Sequence, residues 1–419
     1  MERLKVFGAR KLKGTIKISG SKNASLPILA STLLSSKKIK LLEVPSVKDI
    51  ETMIMLLKAL GSKVKFKKKK NIVDIDNSNI TKTLAPYSLV KTMRAGILVL
   101  GPLLARFGNA KVSFPGGCNL GQRKIDIHLN ALSKLGVNFK IKQGYVYAIA
   151  PNGLVGATIR FPKISVGATE NLIIAACLAK GKTILHNCAR EPEIKDLTNF
   201  LNKMNCKIKW IKKRTITIEG TKNFKSLKYK IMFDRIEADT MMIASMVTDG
   251  KLKIKNVKPN IIQTEINILK KIGAKIKIKN NEINIFRGKK INNIKLKTAE
   301  YPGFPTDVQG QLMVLLCIAN GKSEIVERIF DNRFMLASEL RRMTAKIDII
   351  GNRAIIKGNT KFEGAELTSS DLRASASLVL AALAAKGEST INRIYHLRRG
   401  YENFEKKLKK VGARIKRVS

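Results

Sequence analysis

The sequence is poor in acidic residues, histidine, tryptophan and cysteine, and each shortage narrows what the protein can be. Its 419 residues hold 31 Asp and Glu against 80 Lys and Arg, with 3 His, 1 Trp and 5 Cys. The cysteines, at 118, 177, 188, 206 and 317, are odd in number and irregularly spaced, with no Cys-x-x-Cys pair. That pattern excludes a disulfide framework and, with so few histidines, a structural zinc site, so no metal is expected. Long apolar runs are also missing. The longest, "AGILVLGPLLARF" at 95–107, is too short to cross a bilayer. The opening "MERLKVFGARKLKG" has basic residues but no apolar stretch of the kind an export signal needs, and a cytoplasmic protein with no membrane partner is expected. Neither G-x-G-x-x-G nor G-x-x-x-x-G-K-[ST] occurs, which excludes the usual nicotinamide, flavin and ATP loops and leaves no cofactor expected.

What is abundant is lysine. A net charge of +49 would ordinarily suggest a nucleic-acid ligand, since lysines on a polyanion gain affinity by releasing counterions. The distribution argues otherwise. Lysines are spread along the chain beside Ile and Asn, as in "KIKIKNNEINIF" (275–286), and only "KFKKKK" (65–70) is a dense block, placed where a hairpin is expected. Aromatics are only 5%, and no base-stacking signature is visible. The charge reads as solvated strand faces, and nucleic acid is not expected as the primary ligand. With 44% hydrophobic residues there is ample material for real cores, and the length suits two or three domains.

The chain repeats itself. "ALGSKVKF" (59–66), "KLGVNFKI" (134–141), "KMNCKIKW" (203–210), "KIGAKIKI" (271–278), "RMTAKIDI" (342–349) and "KVGARIKR" (410–417) are variants of one pattern. Their pivots, Gly61, Gly136, Asn205, Gly273, Thr344 and Gly412, lie 75, 69, 68, 71 and 68 residues apart. Each pivot reads as a helix end in a left-handed conformation, followed by an alternating strand. Upstream recur a small-residue helix ("NASLPILASTLLSS", 23–36; "ENLIIAACLAKG", 170–181; "ASASLVLAALAAKG", 374–387), a β-branched strand ("KTILHN", 182–187) and an amphipathic helix ("EIKDLTNFLNKM", 193–204). The unit is βαβαββ. Helices this apolar are buried nearly all round, so they belong inside and the sheets outside.

One loop stands out chemically. "SFPGGCNLGQR" (113–123) sets Cys118 beside a Gly-Gly pair and five residues before Arg123. Glycines permit close backbone approach to a ligand, the guanidinium suits phosphate, and an electropositive loop is where a thiol becomes reactive. Cys177, Cys206 and Cys317 read instead as small buried hydrophobes.

A sixfold βαβαββ repeat with internal helices resembles the enolpyruvyl transferases. The local motifs "SGSKNASLPILAS" (19–31), "KTMRAGI" (91–97), "PGGCNLGQR" (115–123), "ISVGATEN" (164–171), "AREPEI" (189–194), "FPTD" (304–307), "FDNRFM" (330–335), "DLRASASLVLA" (371–381) and "RGYE" (399–402) are similar, in order and over the full length, to the branch acting on UDP-N-acetylglucosamine. The resemblance implies a two-domain inside-out α/β barrel of six βαβαββ repeats with buried helices and outer sheets. It implies a catalytic domain of 1–21 plus 233–419 and a second domain of 22–232 carrying a mobile cysteine loop at 113–124. The substrates would lie in the cleft between the halves, with Lys22 at one hinge and the loop as a lid. The implied reaction moves the enolpyruvyl group of phosphoenolpyruvate to the sugar 3′-hydroxyl, releasing phosphate through a tetrahedral ketal. This is the first committed step of peptidoglycan synthesis. A monomer is expected, because the family's cleft lies within one chain.

The resemblance also distributes roles. Lys22, Arg123 and Arg399 match the phosphate-side cations; Arg333 and Arg373 match those holding the carboxylate and the charge developing at C2; Asn23 and Arg94 complete that shell. Cys118 matches the acid that protonates the C3 methylene and the target of fosfomycin. A thiol, largely protonated near neutrality, suits that task. Asp307 matches the base for the sugar hydroxyl, although an Asp after Pro-Thr also reads as a helix N-cap. The nucleotide sugar is implied along Arg94, Arg123, Lys124, Ile125, Asp126, Ile127, Lys163, Ile164, Ser165, Val166, Asp307 and Ile329. Three positions depart from the family pattern: Lys124 for a usual Pro, Asp331 for a usual Glu, and Arg398 where an acid is common. Glu191, Glu193 and Asp234 read equally as cleft residues or as helix starters. His128 follows the nucleotide stretch and is expected to help hold the lid, while His186 and His396 read as satisfied structural histidines. Two rival readings stand: a shikimate-branch transferase, against which "SKNA" and "PGGC" count, and a basic nucleic-acid-binding protein retaining the fold.

Overall fold

The six pivots all take positive φ: Gly61 111°, Gly136 93°, Asn205 83°, Gly273 114°, Thr344 75° and Gly412 106° in the computed structural model, which describes residues 2–116 and 125–418. The helix Lys48–Leu60 shows how one is made. Acids Asp49 and Glu51 occupy its first turn and Lys58 its last, each matching the helix dipole. Past its end, the Gly61 amide donates to the Lys58 carbonyl at 3.0 Å and the Ser62 amide to Leu57 at 3.0 Å, a closure that turns the chain directly into the strand Lys63–Lys67. At the two pivots that are not glycine the side chain takes hold of distant backbone. Asn205 Nδ2 donates to the Asn223 carbonyl at 2.8 Å, and Thr344 Oγ1 to that of Lys361 at 2.9 Å.

Strands form where Lys and Asn alternate with Ile, Leu and Val. In Lys251–Lys255, Leu252 and Ile254 are buried while Lys251 and Lys255 face water. The described strands make six four-stranded sheets with one common order. In each, an edge strand runs parallel to its neighbour and the other two pairings are antiparallel, as in Thr158–Arg160, Lys182–His186, Thr215–Glu219 and Lys207–Lys212. Three sheets borrow a strand from far along the chain. Lys13–Lys17 pairs in parallel with Lys251–Lys255, Leu227–Lys230 with Ile39–Leu42, and Arg3–Phe7 closes the sheet of Glu388–Asn392 and Arg414–Val418. The repeat therefore does not start at the N-terminus.

Two compact units result. One comprises 2–19 and 233–418, the other 20–116 and 125–232, and each contains three of the sheets and its own continuous apolar core. In the first, Arg235–Val247 and Gln309–Cys317 are buried at every residue, and both pack with Leu372–Ala384. In the second, Val166–Ala176 packs against Lys22–Ser31 and Leu100–Phe107. The small residues of these helices permit that approach, and their burial leaves little solvated helix face, so the sheets lie outside them and carry the lysines.

A Cβ at Gly273 would stand 2.2 Å from the Lys290 carbonyl oxygen, whereas at Gly136 the nearest atom is 3.8 Å away. Gly273→Ala is therefore expected to destabilise by about 2 kcal/mol or more and Gly136→Asn by less than about 1 kcal/mol, compared by thermal unfolding followed by circular dichroism.

Candidate functional site

Of the 80 lysines and arginines, four are buried among the described residues: Lys22, Arg235, Arg333 and Arg373. Burying a cation is costly unless it is paired, so these four have been placed by the fold. Arg235 lies 3.7 Å from the Glu265 carboxylate and over the Tyr301 ring. The other three are sequence-derived site residues.

In the unit 2–19 plus 233–418, Asp307 stands between two of them. Its Oδ1 receives Arg333 Nη2 at 2.8 Å and its Oδ2 receives Arg373 Nη2 at 2.8 Å. Both guanidinium groups are almost wholly buried, while the Asp307 side chain is 28% exposed, so the carboxylate can be approached from outside. Arg333 also donates to the Thr306 carbonyl from Nε and Nη2, each at 3.3 Å, and its guanidinium faces the Phe330 ring. Arg373 lies over the Tyr401 ring, whose hydroxyl sits 2.9 Å from Thr240 Oγ1 and accepts from Gln311 Nε2 at 3.2 Å. Burial opposes charge on Arg373, but Asp307, Tyr401 and Asp234 outweigh it and raise its pKa, so it remains a fixed cation. The Asp307 carboxylate accepts from both arginines, and the helix Gln309–Cys317 begins after a short 3-10 turn over Thr306–Val308 with no side-chain cap bond. Of the two sequence readings of Asp307, the N-cap is thus not what its side chain does.

In the other unit, Lys22 opens the helix Lys22–Ser31 behind the N-cap Ser21, and its Nζ lies 3.1 Å from Asp49 Oδ2, with both side chains buried. Asn23 beside it is partly buried. Arg94 starts the 3-10 segment Arg94–Val99 that leads into Leu100–Phe107. Ile125, Asp126 and Ile127 begin the helix Asp126–Ser133, and Lys163, Ile164, Ser165 and Val166 lead into Val166–Ala176, where Ser165 Oγ accepts from the Ala168 amide at 3.3 Å. These two helices pack together. Asn171 joins them, donating to His128 Nδ1 at 3.2 Å and accepting the Gly101 amide at 2.9 Å. Burial first, and Arg94 second, push the His128 pKa down to about 4. His128 is therefore a neutral strut between helices.

The buried helices share one feature. Each has a residue named in the sequence analysis just before its start or in its first turn: Lys22, Arg94, Ser165, Asp234, Asp307 and Arg373. A helix N-terminus presents free amides and positive potential, which suits anionic ligands. Asp234 uses its carboxylate to cap Arg235–Val247, accepting the Ile236 and Glu237 amides at 2.9 and 3.0 Å, and it also acts electrostatically on Arg373. Glu191 precedes Pro192–Lys203 and Glu193 lies in its first turn; burial and these two neighbours raise the pKa of Glu170 well above the usual carboxylate range.

Other expectations fare differently. His186 is satisfied by Thr215, at 3.3 Å, whereas His396, in the short 3-10 segment Ile394–Arg399, has its ring against Tyr395 and its buried Nδ1 meets no hydrogen-bond partner among the described residues. Arg399, partly buried, ends that segment. Asp331 is exposed, and Arg398 pairs with Glu2 at 3.0 Å. Cys177, Cys206 and Cys317 are buried, as is Cys188. Cys118, Arg123 and Lys124 lie outside the described residues. Among the described residues no group of His, Cys, Asp and Glu is placed to hold a metal, and no helix is long and apolar enough to cross a membrane. A groove lined by Lys38, Lys40, Lys63, Lys65 and Lys228 contains none of the candidate residues.

Two partners went unread in the sequence. Asp49 looks like an ordinary first-turn acid until Lys22 is seen beside it. Glu327, in "SEIVERIF", carries no motif, yet its buried carboxylate accepts the Thr306 hydroxyl at 2.9 Å and the Ile329 amide at 2.7 Å.

The architecture is that of an enolpyruvyl transferase. The solved structure titled as the enolpyruvyl transferase NikO from Streptomyces tendae matches with a TM-score of 0.91 at 23% identity, over 100% of this chain and 99% of that one. An EPSP synthase from Acinetobacter baumannii matches at 0.78 and 17% over the whole of both chains. The family model described as EPSP synthase (3-phosphoshikimate 1-carboxyvinyltransferase) covers residues 6–408, and the chain belongs to that family. Two curated relatives carry the name UDP-N-acetylglucosamine 1-carboxyvinyltransferase. That of Pelagibacter ubique is 68% identical over 419 residues and that of a Nitratiruptor species 46% over 421, in each case across 100% of both chains.

The neutral His128 has a consequence for stability. Its pKa falls from an ordinary 6.5 to about 4 on folding, so the unfolded chain takes up the proton first as pH drops. Stability from this group is full above pH 6.5 and is lost toward pH 4. Urea unfolding is expected to show about 2 kcal/mol less stability at pH 5 than at pH 7 from this residue, a component absent in His128→Gln.

Proposed function

We propose that the protein is a UDP-N-acetylglucosamine 1-carboxyvinyltransferase. It transfers the enolpyruvyl group of phosphoenolpyruvate to the 3′-hydroxyl of UDP-N-acetylglucosamine and releases phosphate, committing the sugar to peptidoglycan synthesis. Full-length relatives at 68% and 46% identity carry this name. The observation that carries the reading is the selection of buried cations: from a surplus of positive surface, the fold withdraws Lys22, Arg333 and Arg373 from water and sets Asp307 between the two arginines.

Each step has a residue suited to it. Lys22, Arg123 and Arg399 take the phosphate and Arg333 and Arg373 the carboxylate, with Asn23 and Arg94 beside them. Fixed cations withdrawn from water stabilise developing charge without first reorganising. Cys118 gives its proton to C3 as the sugar oxygen bonds to C2, and Asp307 accepts the hydroxyl proton. The resulting ketal expels phosphate by C2–O cleavage, and loss of a C3 proton restores the double bond. The nucleotide lies along Arg123 to Ile127 and Lys163 to Val166, with Ile329 beside the sugar. No metal or cofactor takes part, and the enzyme works as a monomer in the cytoplasm.

The shikimate-branch reading shares phosphoenolpyruvate and the fold but not the acceptor. Phosphate release is expected only when UDP-N-acetylglucosamine is present, and Cys118→Ser is expected to lower it at least about 100-fold. Arg373→Lys, which keeps charge but loses the planar fork, is expected to lower kcat/KM for phosphoenolpyruvate by about 100-fold. Release that ignores the nucleotide sugar, or none at all, would overturn the reading. Turnover insensitive to salt, with no salt-dependent affinity for oligonucleotides, is the outcome that rejects the nucleic-acid alternative.

A further inference from the structure

Glu327 lies at the end of the strand Lys322–Val326 and is 2% exposed. Its backbone is fixed without help from its side chain: its amide donates to the Asn352 carbonyl at 2.9 Å, and Asn352 Nδ2 donates back to its carbonyl at 3.1 Å. The side chain is thus free to serve something else. Four donors converge on it. Oε1 accepts the Thr298 hydroxyl at 2.9 Å and the amides of Ile329 and Phe330 at 2.7 and 3.3 Å, while Oε2 accepts the Thr306 hydroxyl at 2.9 Å.

The two ends of this fan matter differently. On one side is the turn Thr306–Val308, which carries Asp307. On the other is the segment 329–333, which carries Ile329 and ends at Arg333, the residue that returns to grip Thr306 and Asp307. A single buried carboxylate therefore closes a ring through Thr306, Asp307, Arg333 and back along the chain to Ile329. We infer that Glu327 is a positioning residue that sets the aim of the Asp307 carboxylate by locking its turn to the Ile329–Arg333 segment. It touches no reacting atom. The inference rests on the reading of Asp307 as the base for the sugar hydroxyl, because only then does its aim matter to turnover.

The geometry separates charge from position. In Glu327→Gln the amide oxygen can keep the three Oε1 bonds, and the new NH2 can donate to Thr306 Oγ1, which accepts as readily as it donates. The ring survives. In Thr306→Val the shape is kept but the bond to the turn is lost, and in Glu327→Ala all four bonds go. A fraction of an ångström at a reacting centre is enough to slow catalysis while leaving binding intact.

The test is steady-state kinetics on the full chain for these three variants and Asp307→Asn, with thermal unfolding alongside. Thr306→Val and Glu327→Ala are expected to lower kcat at least about 10-fold with KM for both substrates within about 2-fold, while Glu327→Gln keeps kcat within about 3-fold of the parent. If Asp307→Asn is inactive but Thr306→Val turns over like the parent, the positioning role is wrong and the base assignment stands. A Glu327→Gln variant as slow as Glu327→Ala, or losses confined to KM or matched by loss of folded protein, would overturn it too. Parental turnover in Asp307→Asn would instead defeat the reading of the base on which the inference depends.

Discussion

Burial of six helices on nearly every face is the constraint from which the rest follows. A helix with no solvated side still leaves its first amides without intrahelical partners, and those groups must meet a cap, a side chain or a ligand. Here Ser21, Ser165, Asp234 and Asp371 supply caps with their own side chains. The same first turns hold Lys22 and Arg373, and Asp307 stands just ahead of another. Within each unit, packing the helices inward thus puts positive helix ends, and in places buried cations, where the helices begin. Anionic substrates suit such a place for the same electrostatic reason.

The charge of the chain is informative only after burial is known. Lysine is spread over every sheet, where alternation sends it to water opposite Ile, Leu and Val. Solvated charges on such faces contribute little to stability one by one, and salt screens them. The buried cations are a different population. Each has a carboxylate: Asp49 for Lys22, Asp307 for Arg333 and Arg373, Glu265 for Arg235. Removing such a partner would strand a buried charge, which is why the pairs hold their geometry.

Much of the fold was legible because local rules and global fold agree. The pivots at Gly61, Gly136, Gly273 and Gly412 announce left-handed helix ends, and the alternation after them announces strands. Asn205 and Thr344 fit the same spacing, though the long-range bonds that hold them were not visible. Much of the candidate site was legible too, through motifs such as "FPTD" and "FDNRFM". Glu327 and Asp49 were not, because a lone acid after a strand or at a helix start looks the same whether it faces water, buried hydroxyls and amides, or a buried lysine. His128 was placed beside the nucleotide stretch, but only Asn171 shows it to be a neutral link between two helices. His396 resembles a satisfied structural histidine in the sequence, yet its Nδ1 has no partner among the described residues.

The sequence alone determined the repeat, the inward helices and the types of residue available for the chemistry, because helix ends, periodicity and side-chain character are set by near neighbours. Only the tertiary structure decided which of the many cations leave water, which carboxylate each one meets, and that strands near residues 5, 15 and 228 complete sheets begun elsewhere. Those outcomes depend on contacts between residues tens to hundreds of positions apart. Desolvation and pairing energies there are properties of the assembled fold, and no stretch of sequence contains them.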